Sequence, residues 1–147
     1  MDELHELMKV VLANTFTYYM KAHGYHWNII GSDFTQLHDL FGDIYEDAHG
    51  AVDDIAEQLR QIESFAPGTL ARMIELSKVT EDEAIPAAPK MVTNLIAAND
   101  IVYDSLKETY DKAEEVEECG LANFLQDRMM AHKKFRWKLR ATAGQKP

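Results

Sequence analysis

The sequence predicts an all-α fold, two long helical hairpins joined by a crossover that carries a short helix of its own. Three observations predict it. Apolar residues recur at steps of three and four through four separate segments, which is the period of an amphipathic helix. The 7 glycines and 4 prolines fall mostly between those segments. The 25 residues from Phe65 to Pro89 separate the second segment from the third, a length that suits a crossover between two hairpins.

The first stripe runs Leu4, Leu7, Met8, Val11, Leu12, Thr15, Tyr18, Tyr19, Ala22 and Ile29. Gly31-Ser32-Asp33 breaks it, and Ser32 or Asp33 is a good N-cap for the next helix. The second stripe is Phe34, Leu37, Phe41, Ile44, Tyr45, Ala48, Val52, Ile55, Ala56, Leu59 and Ile62, ended by Phe65-Ala66-Pro67-Gly68. Gly68 to Ser77 reads as a short helix, and Glu81 to Pro89 as a loop. A third helix carries Met91, Leu95, Ala98, Val102, Leu106 and Tyr110 on one face and fades through Glu114 to Gly120. The fourth carries Leu121, Phe124, Leu125, Met129, His132, Phe135 and Leu139, with a tail from Thr142 to Pro147. No internal repeat is evident, and residues 1–147 read as one domain, long enough for a substantial core.

Composition narrows the function classes. No apolar run is long enough to span a membrane. The start, Met1-Asp2-Glu3-Leu4-His5-Glu6, lacks the basic-then-apolar pattern of a signal peptide. The single Cys119 excludes an intrachain disulfide and fits a reducing compartment, so the expected location is cytoplasmic. The net charge of −10 disfavours DNA as a partner, because most of the surface repels phosphate. Arg128, Lys133, Lys134, Arg136, Lys138, Arg140 and Lys146 form an acid-free basic stretch, but most of it reads as helix, not as a free tail.

Four residues form a candidate metal-ligand set: His26, His38, Asp53 and Glu57. Two imidazoles and two carboxylates suit a first-row transition metal such as iron. His26 lies five residues before Gly31 and His38 seven after it, so a hairpin brings them face to face near its closed end. Asp53 and Glu57 cannot join them in the same chain. His38 and Asp53 are about 22 Å apart along one helix at 1.5 Å per residue, and metal–ligand bonds are roughly 2 Å. Across the hairpin the carboxylates face the region of Leu4 to Met8, where only His5 is available. If all four serve one centre, a second copy of the chain must supply two of them, and a two-fold interface makes two such centres. On spacing alone the set reads equally as core histidines beside a solvated acidic face, since Asp39, Asp43, Glu46, Asp47 and Asp54 surround the carboxylates. Glu46 and His49 form a Glu-x-x-His pair, but intrachain di-iron bundles need a second such pair, and the third and fourth helices have none.

His26-Trp27-Asn28, Gly31, Phe34, Leu37-His38, Phe41, Tyr45, Asp53 and Ala56-Glu57 resemble the signature of the Dps family, ferritin-like proteins that protect cells from iron and peroxide. The resemblance continues through Gly68-Thr69-Leu70, Glu75-Leu76-Ser77, Ala122 to Asp127, His132, Lys134, Trp137 and Leu139-Arg140-Ala141, nearly the whole chain. It implies a ferritin-like four-helix bundle, with the short extra helix between helices two and three, assembled into a hollow shell of twelve subunits. It implies a ferroxidase centre between two-fold-related subunits, with His26 and His38 from one and Asp53 and Glu57 from its partner. Fe²⁺ would be oxidised there by hydrogen peroxide or dioxygen and stored as ferric mineral. Trp27 matches a family tryptophan near the centre, either an electron donor or a packed interface aromatic. Glu118 and Asp127 are the candidates for the acidic residues that line the family's pores.

Two positions depart from the family pattern. Many members carry an acid four residues after the second histidine, where this chain has Gly42 followed by Asp43. That weakens a second iron position and keeps a rival reading in play: a shell or DNA-coating protein that has lost catalysis. The family's Ala-Glu-Arg is Ala56-Glu57-Gln58 here, which removes an ion pair and leaves Glu57 in place.

Overall fold

The computed structural model describes residues 1–147. Five helices and no strand make up the fold: α1 (Asp2–Asn28), α2 (Phe34–Gln61), α3 (Leu70–Leu76), α4 (Ala88–Glu115) and α5 (Cys119–Thr142). The four long helices are those the apolar stripes predict, and α3 is the short helix of the crossover. α1 pairs with α2, α4 pairs with α5, and α1 also packs on α4 and α3. The fold is therefore a ferritin-like four-helix bundle with an extra helix between helices two and three.

The core is the sum of the predicted stripes. Leu4, Met8 and Tyr18 of α1, Phe41, Ile44, Ile55 and Leu59 of α2, Leu95, Val102 and Leu106 of α4, and Leu125 and Leu139 of α5 are all fully buried. A polar network runs through this core. His132 Nδ1 bonds Asn99 Oδ1 at 2.8 Å, Asn99 Nδ2 donates to the His132 carbonyl at 2.9 Å, and the Tyr18 hydroxyl donates to Asn99 Oδ1 at 3.0 Å. Arg128 reaches His132 Nε2 at 3.3 Å and bridges to Asp47 at 2.8 Å, tying α5 to α2. Burial, with the Arg128 charge adding to it, pushes the His132 imidazole down to about 3. Burial drives the Tyr18 phenol well above its ordinary range.

The crossover is strapped onto α1 at two points. Asn14 Oδ1 accepts from the Lys78 amide at 2.7 Å, and Thr17 shares a 2.6 Å bond with Ser77. Further along, the Tyr25 hydroxyl donates to Asp82, which also takes a bridge from Lys21 at 3.2 Å.

The helix ends differ in detail from the sequence reading. Asp33 is the N-cap of α2, as expected, yet its side chain makes no capping bond. Its φ of −100° and ψ of 21° lie outside the extended region from which a cap side chain reaches back to the helix. α4 begins at Ala88, so Pro89 lies within its first turn, where a missing N–H costs nothing. The break between α4 and α5 is only Val116 to Glu118, and Gly120 lies inside α5 instead of ending the helix before it. The left-handed residue there is Glu117, at φ 62°.

Candidate metal centre

α1 and α2 are long neighbours, and Gly31, at φ 123°, turns the chain between them. That geometry sets His26 in the last turn of α1 against His38 in the second turn of α2. Their rings stack with centroids 3.7 Å apart and planes 16° from parallel. The pair is bonded reciprocally: His26 Nδ1 donates to the His38 carbonyl at 2.7 Å, and His38 Nδ1 donates to the His26 carbonyl at 2.7 Å. A carbonyl only accepts, so the proton of each neutral ring is on Nδ1 and the lone pair is on Nε2. A backbone carbonyl holding the other ring nitrogen is the usual way a metal-ligating histidine is oriented and made more basic. Both rings are half-buried and neither Nε2 is engaged within the chain.

Gly42 packs against the His26 ring of this pair. A Cβ on it would meet Cε1 and Nδ1 of His26 at 3.3 Å, tighter than ordinary van der Waals contact. A side chain starting from position 42 would press on the His26 ring and shift it by a few tenths of an ångström.

Asp53 and Glu57 are exposed on the same unbroken helix as His38, in its second half. The side-chain hydrogen bonds of α2 are made by His38, Asp47 and Arg60; Asp53 and Glu57 make none. Within one chain the four predicted ligands therefore form two separate pairs, and no group of three or more His, Cys, Asp or Glu side chains comes together. His5, across the hairpin from Glu57, is occupied: its Nε2 donates to the Ile62 carbonyl at 2.8 Å.

The structure adds residues the motif reading passed over. His23 stacks on Tyr45 at 3.8 Å, lies 4.1 Å from the Trp27 ring, and its Nδ1 is 2.9 Å from the Tyr19 hydroxyl. Tyr19 in turn lies 4.8 Å from the His49 ring, and Tyr45 lies 5.0 Å from His26. A continuous row of rings thus lines the outer α1–α2 seam beside the histidine pair. Desolvation first, then the neighbouring His26 and His49, hold the His23 imidazole below its ordinary range. Tyr19, His23 and Trp27 recur at four-residue steps, a signal that was present in the sequence. Trp27 itself is 58% exposed in the single chain, and Glu46 and His49 are exposed.

Residues 5–146 match the ferritin-like domain family. The DNA protection during starvation protein of Brevibacillus brevis is 31% identical over 144 residues, covering 94% of this chain and 95% of that protein. This chain belongs to the Dps family. General stress protein 20U of Bacillus subtilis is 28% identical over 97% of this chain and 99% of its own length. The crystal structure of a Dps protein from Bacillus brevis superposes with a TM-score of 0.92 at 28% identity, covering 96% of this chain and 95% of that one. Antigen TpF1 from Treponema pallidum gives 0.93 at 26% identity, covering 97% and 92%. Dps membership supports iron storage and protection as the class of function. No helix is long and apolar enough to cross a membrane.

Of the six basic residues in this Dps chain's last helix, the three arginines make ion pairs or hydrogen bonds. Arg128 bridges Asp47, Arg136 bridges Asp100 at 2.8 Å, and Arg140 bonds Gln145 and the Lys146 carbonyl.

Proposed function

We propose that this chain is a ferroxidase that oxidises Fe²⁺ with hydrogen peroxide or dioxygen and stores the ferric product in a hollow homo-oligomeric shell, in the cytoplasm. The observation that carries the reading is the His26–His38 pair. Two imidazoles are held by each other's backbone with both Nε2 lone pairs unengaged, while the matching carboxylates stand without partners farther along the same helix. The length of α2 keeps the two halves apart in one chain, so His26 and His38 of one subunit meet Asp53 and Glu57 of the partner subunit at a two-fold interface. Twelve subunits is the assembly that family likeness supports.

Fe²⁺ is the substrate. The imidazoles and carboxylates bind it, and the negative carboxylates favour Fe³⁺ over Fe²⁺, which helps drive the oxidation. Each Fe²⁺ gives up one electron, and hydrogen peroxide takes one from each of a pair, with two protons, to become water. Consuming peroxide together with Fe²⁺ suppresses hydroxyl radical chemistry. Trp27, beside the centre and against His23, is placed to supply an electron to a stray one-electron oxidant. The net charge of −10 gives the shell an acidic surface on which ferric oxyhydroxide can nucleate.

Anaerobic Fe²⁺ titration followed by stoichiometric peroxide, read by near-ultraviolet absorbance, tests this. Saturable binding and fast oxidation are expected. Asp53→Ala with Glu57→Ala is expected to reduce oxidation to the protein-free rate while leaving the assembly intact; wild-type oxidation by that double variant would make the site assignment wrong. A second reading, a non-catalytic shell or DNA-coating protein, is favoured by one observation: position 42, where many family members carry an acid, is a glycine packed against the His26 ring. A salt-dependent gel shift without catalysed oxidation would establish that reading instead.

A further inference from the structure

The residues of α2 at positions 38, 42, 46, 49, 53 and 57 follow steps of four, four, three, four and four, a pattern that reads the same in both directions. At about 100° per residue they fall within an arc of about 100°, on the side turned away from Ile44, Ala48, Ile55 and Leu59, which are fully buried. Read from its two ends, the stripe pairs His38 with Glu57, Gly42 with Asp53 and Glu46 with His49. All three pairs centre on one point of the helix, between Asp47 and Ala48. Two of the three set a histidine against a glutamate, and the third sets a glycine against an acid.

We propose that Glu46 and His49 form a reciprocal pair across the two-fold axis of a dimer of this chain, each bonding its opposite number on the partner subunit. The inference rests on the inter-subunit iron site proposed above, taken in the register that sets His38 against Glu57 of the partner subunit. A two-fold axis that sets His38 against Glu57 of the partner subunit passes the midpoint of the stripe. It then sets Glu46 against His49 of the partner subunit, and His49 against Glu46 of the partner subunit, between the two iron sites. The stripe is self-complementary, as an isologous interface requires.

Both residues are free for this. They are exposed, and neither is among the α2 side chains that hydrogen-bond within the chain, which are His38, Asp47 and Arg60. His49 is also held in place, its ring 4.8 Å from that of Tyr19. The Glu-x-x-His pair that suggests an intrachain metal site thus gains a different role. It supplies two bonds that specify register and reject a slipped or parallel pairing, since complementary charge chiefly gives specificity.

Charge reversal and exchange tests it in the assembled protein. His49→Glu sets glutamate against Glu46 of the partner subunit twice per dimer. Native mass spectrometry of ¹⁵N-labelled and unlabelled assemblies is expected to show subunit exchange about tenfold faster, or loss of the assembly, because interface changes act mainly on dissociation. The swap E46H/H49E restores the pairing with the partners reversed and is expected to exchange within about twofold of wild type. Wild-type exchange by H49E, or a swap as impaired as H49E, would overturn the pairing. The swap leaves His26, His38, Asp53 and Glu57 untouched, so its Fe²⁺ oxidation reports separately on the iron site.

Discussion

Gly42 and the His26 ring compete for one small volume between α1 and α2. A methyl group on Gly42 would sit 3.3 Å from the ring, so Gly42→Ala must move it by a few tenths of an ångström. The helix gains about 1 kcal/mol of propensity and loses about 1–3 kcal/mol to overpacking, so the net change is expected to lie between zero and a loss of about 2 kcal/mol. Fe²⁺ affinity, which depends on the ring's bond to the His38 carbonyl, is expected to fall about tenfold, as when a ligand's orienting partner is disturbed; anaerobic titration beside thermal unfolding checks both. The sequence showed that an acid is missing at position 42 but not what fills its place, because that depends on how closely α1 approaches α2. His132 was legible as a stripe residue and as part of the family resemblance, not as the hub of a buried hydrogen-bond network. Buried and held down to about 3, it stays neutral in the fold, whereas the unfolded chain takes up a proton below about 6.5. Its contribution is therefore complete above that value and declines as pH falls toward 3, by about 1.4 kcal/mol per unit. Between pH 6.5 and 5, wild type is expected to lose about 2 kcal/mol more than His132→Gln in denaturant titrations; equal losses would exclude this role.

The long elements were legible because each carries a stripe that repeats over many turns, and burial follows those stripes closely. The helix ends were less so. Gly120 looks like a stop signal, yet the chain turns at Glu117 in the left-handed conformation, with the Glu118 amide bonded back to the Ala113 carbonyl at 2.9 Å. A side chain at that position is disfavoured, so Glu117→Gly is expected to stabilise the α4–α5 turn by about 1 kcal/mol, measured by the unfolding midpoint. The crossover was legible by length and turn residues, but its attachment was not. Asn14 lies within an apolar stripe and accepts from the Lys78 amide 64 residues away. Asn14→Ala leaves that amide without its partner and is expected to cost about 1–3 kcal/mol and to speed proteolysis between Ser77 and Ala87; unchanged cleavage would show that the Thr17–Ser77 and Tyr25–Asp82 contacts hold the loop without it.

At the scale of the whole molecule, the hairpin spacing anticipated the meeting of His26 and His38, and the length of α2 anticipated that Asp53 and Glu57 would lie apart from them. What one chain leaves unstated is the partner that the proposed centre needs to join the two halves. The row of rings from Tyr19 to Trp27 carries a four-residue period in the sequence, but its contacts with Tyr45 and His49 depend on how α1 packs on α2. The central claim is that one centre draws ligands from two subunits. Subunit complementation tests it: His26→Ala/His38→Ala protein and Asp53→Ala/Glu57→Ala protein are each inactive alone and are then dissociated and reassembled together. In a mixed dimer one of the two centres has all four ligands. The account predicts that Fe²⁺ oxidation returns on mixing, to about one quarter of the wild-type rate for random pairing. Mixed assemblies, verified by native mass spectrometry, that still fail to oxidise Fe²⁺ would contradict it.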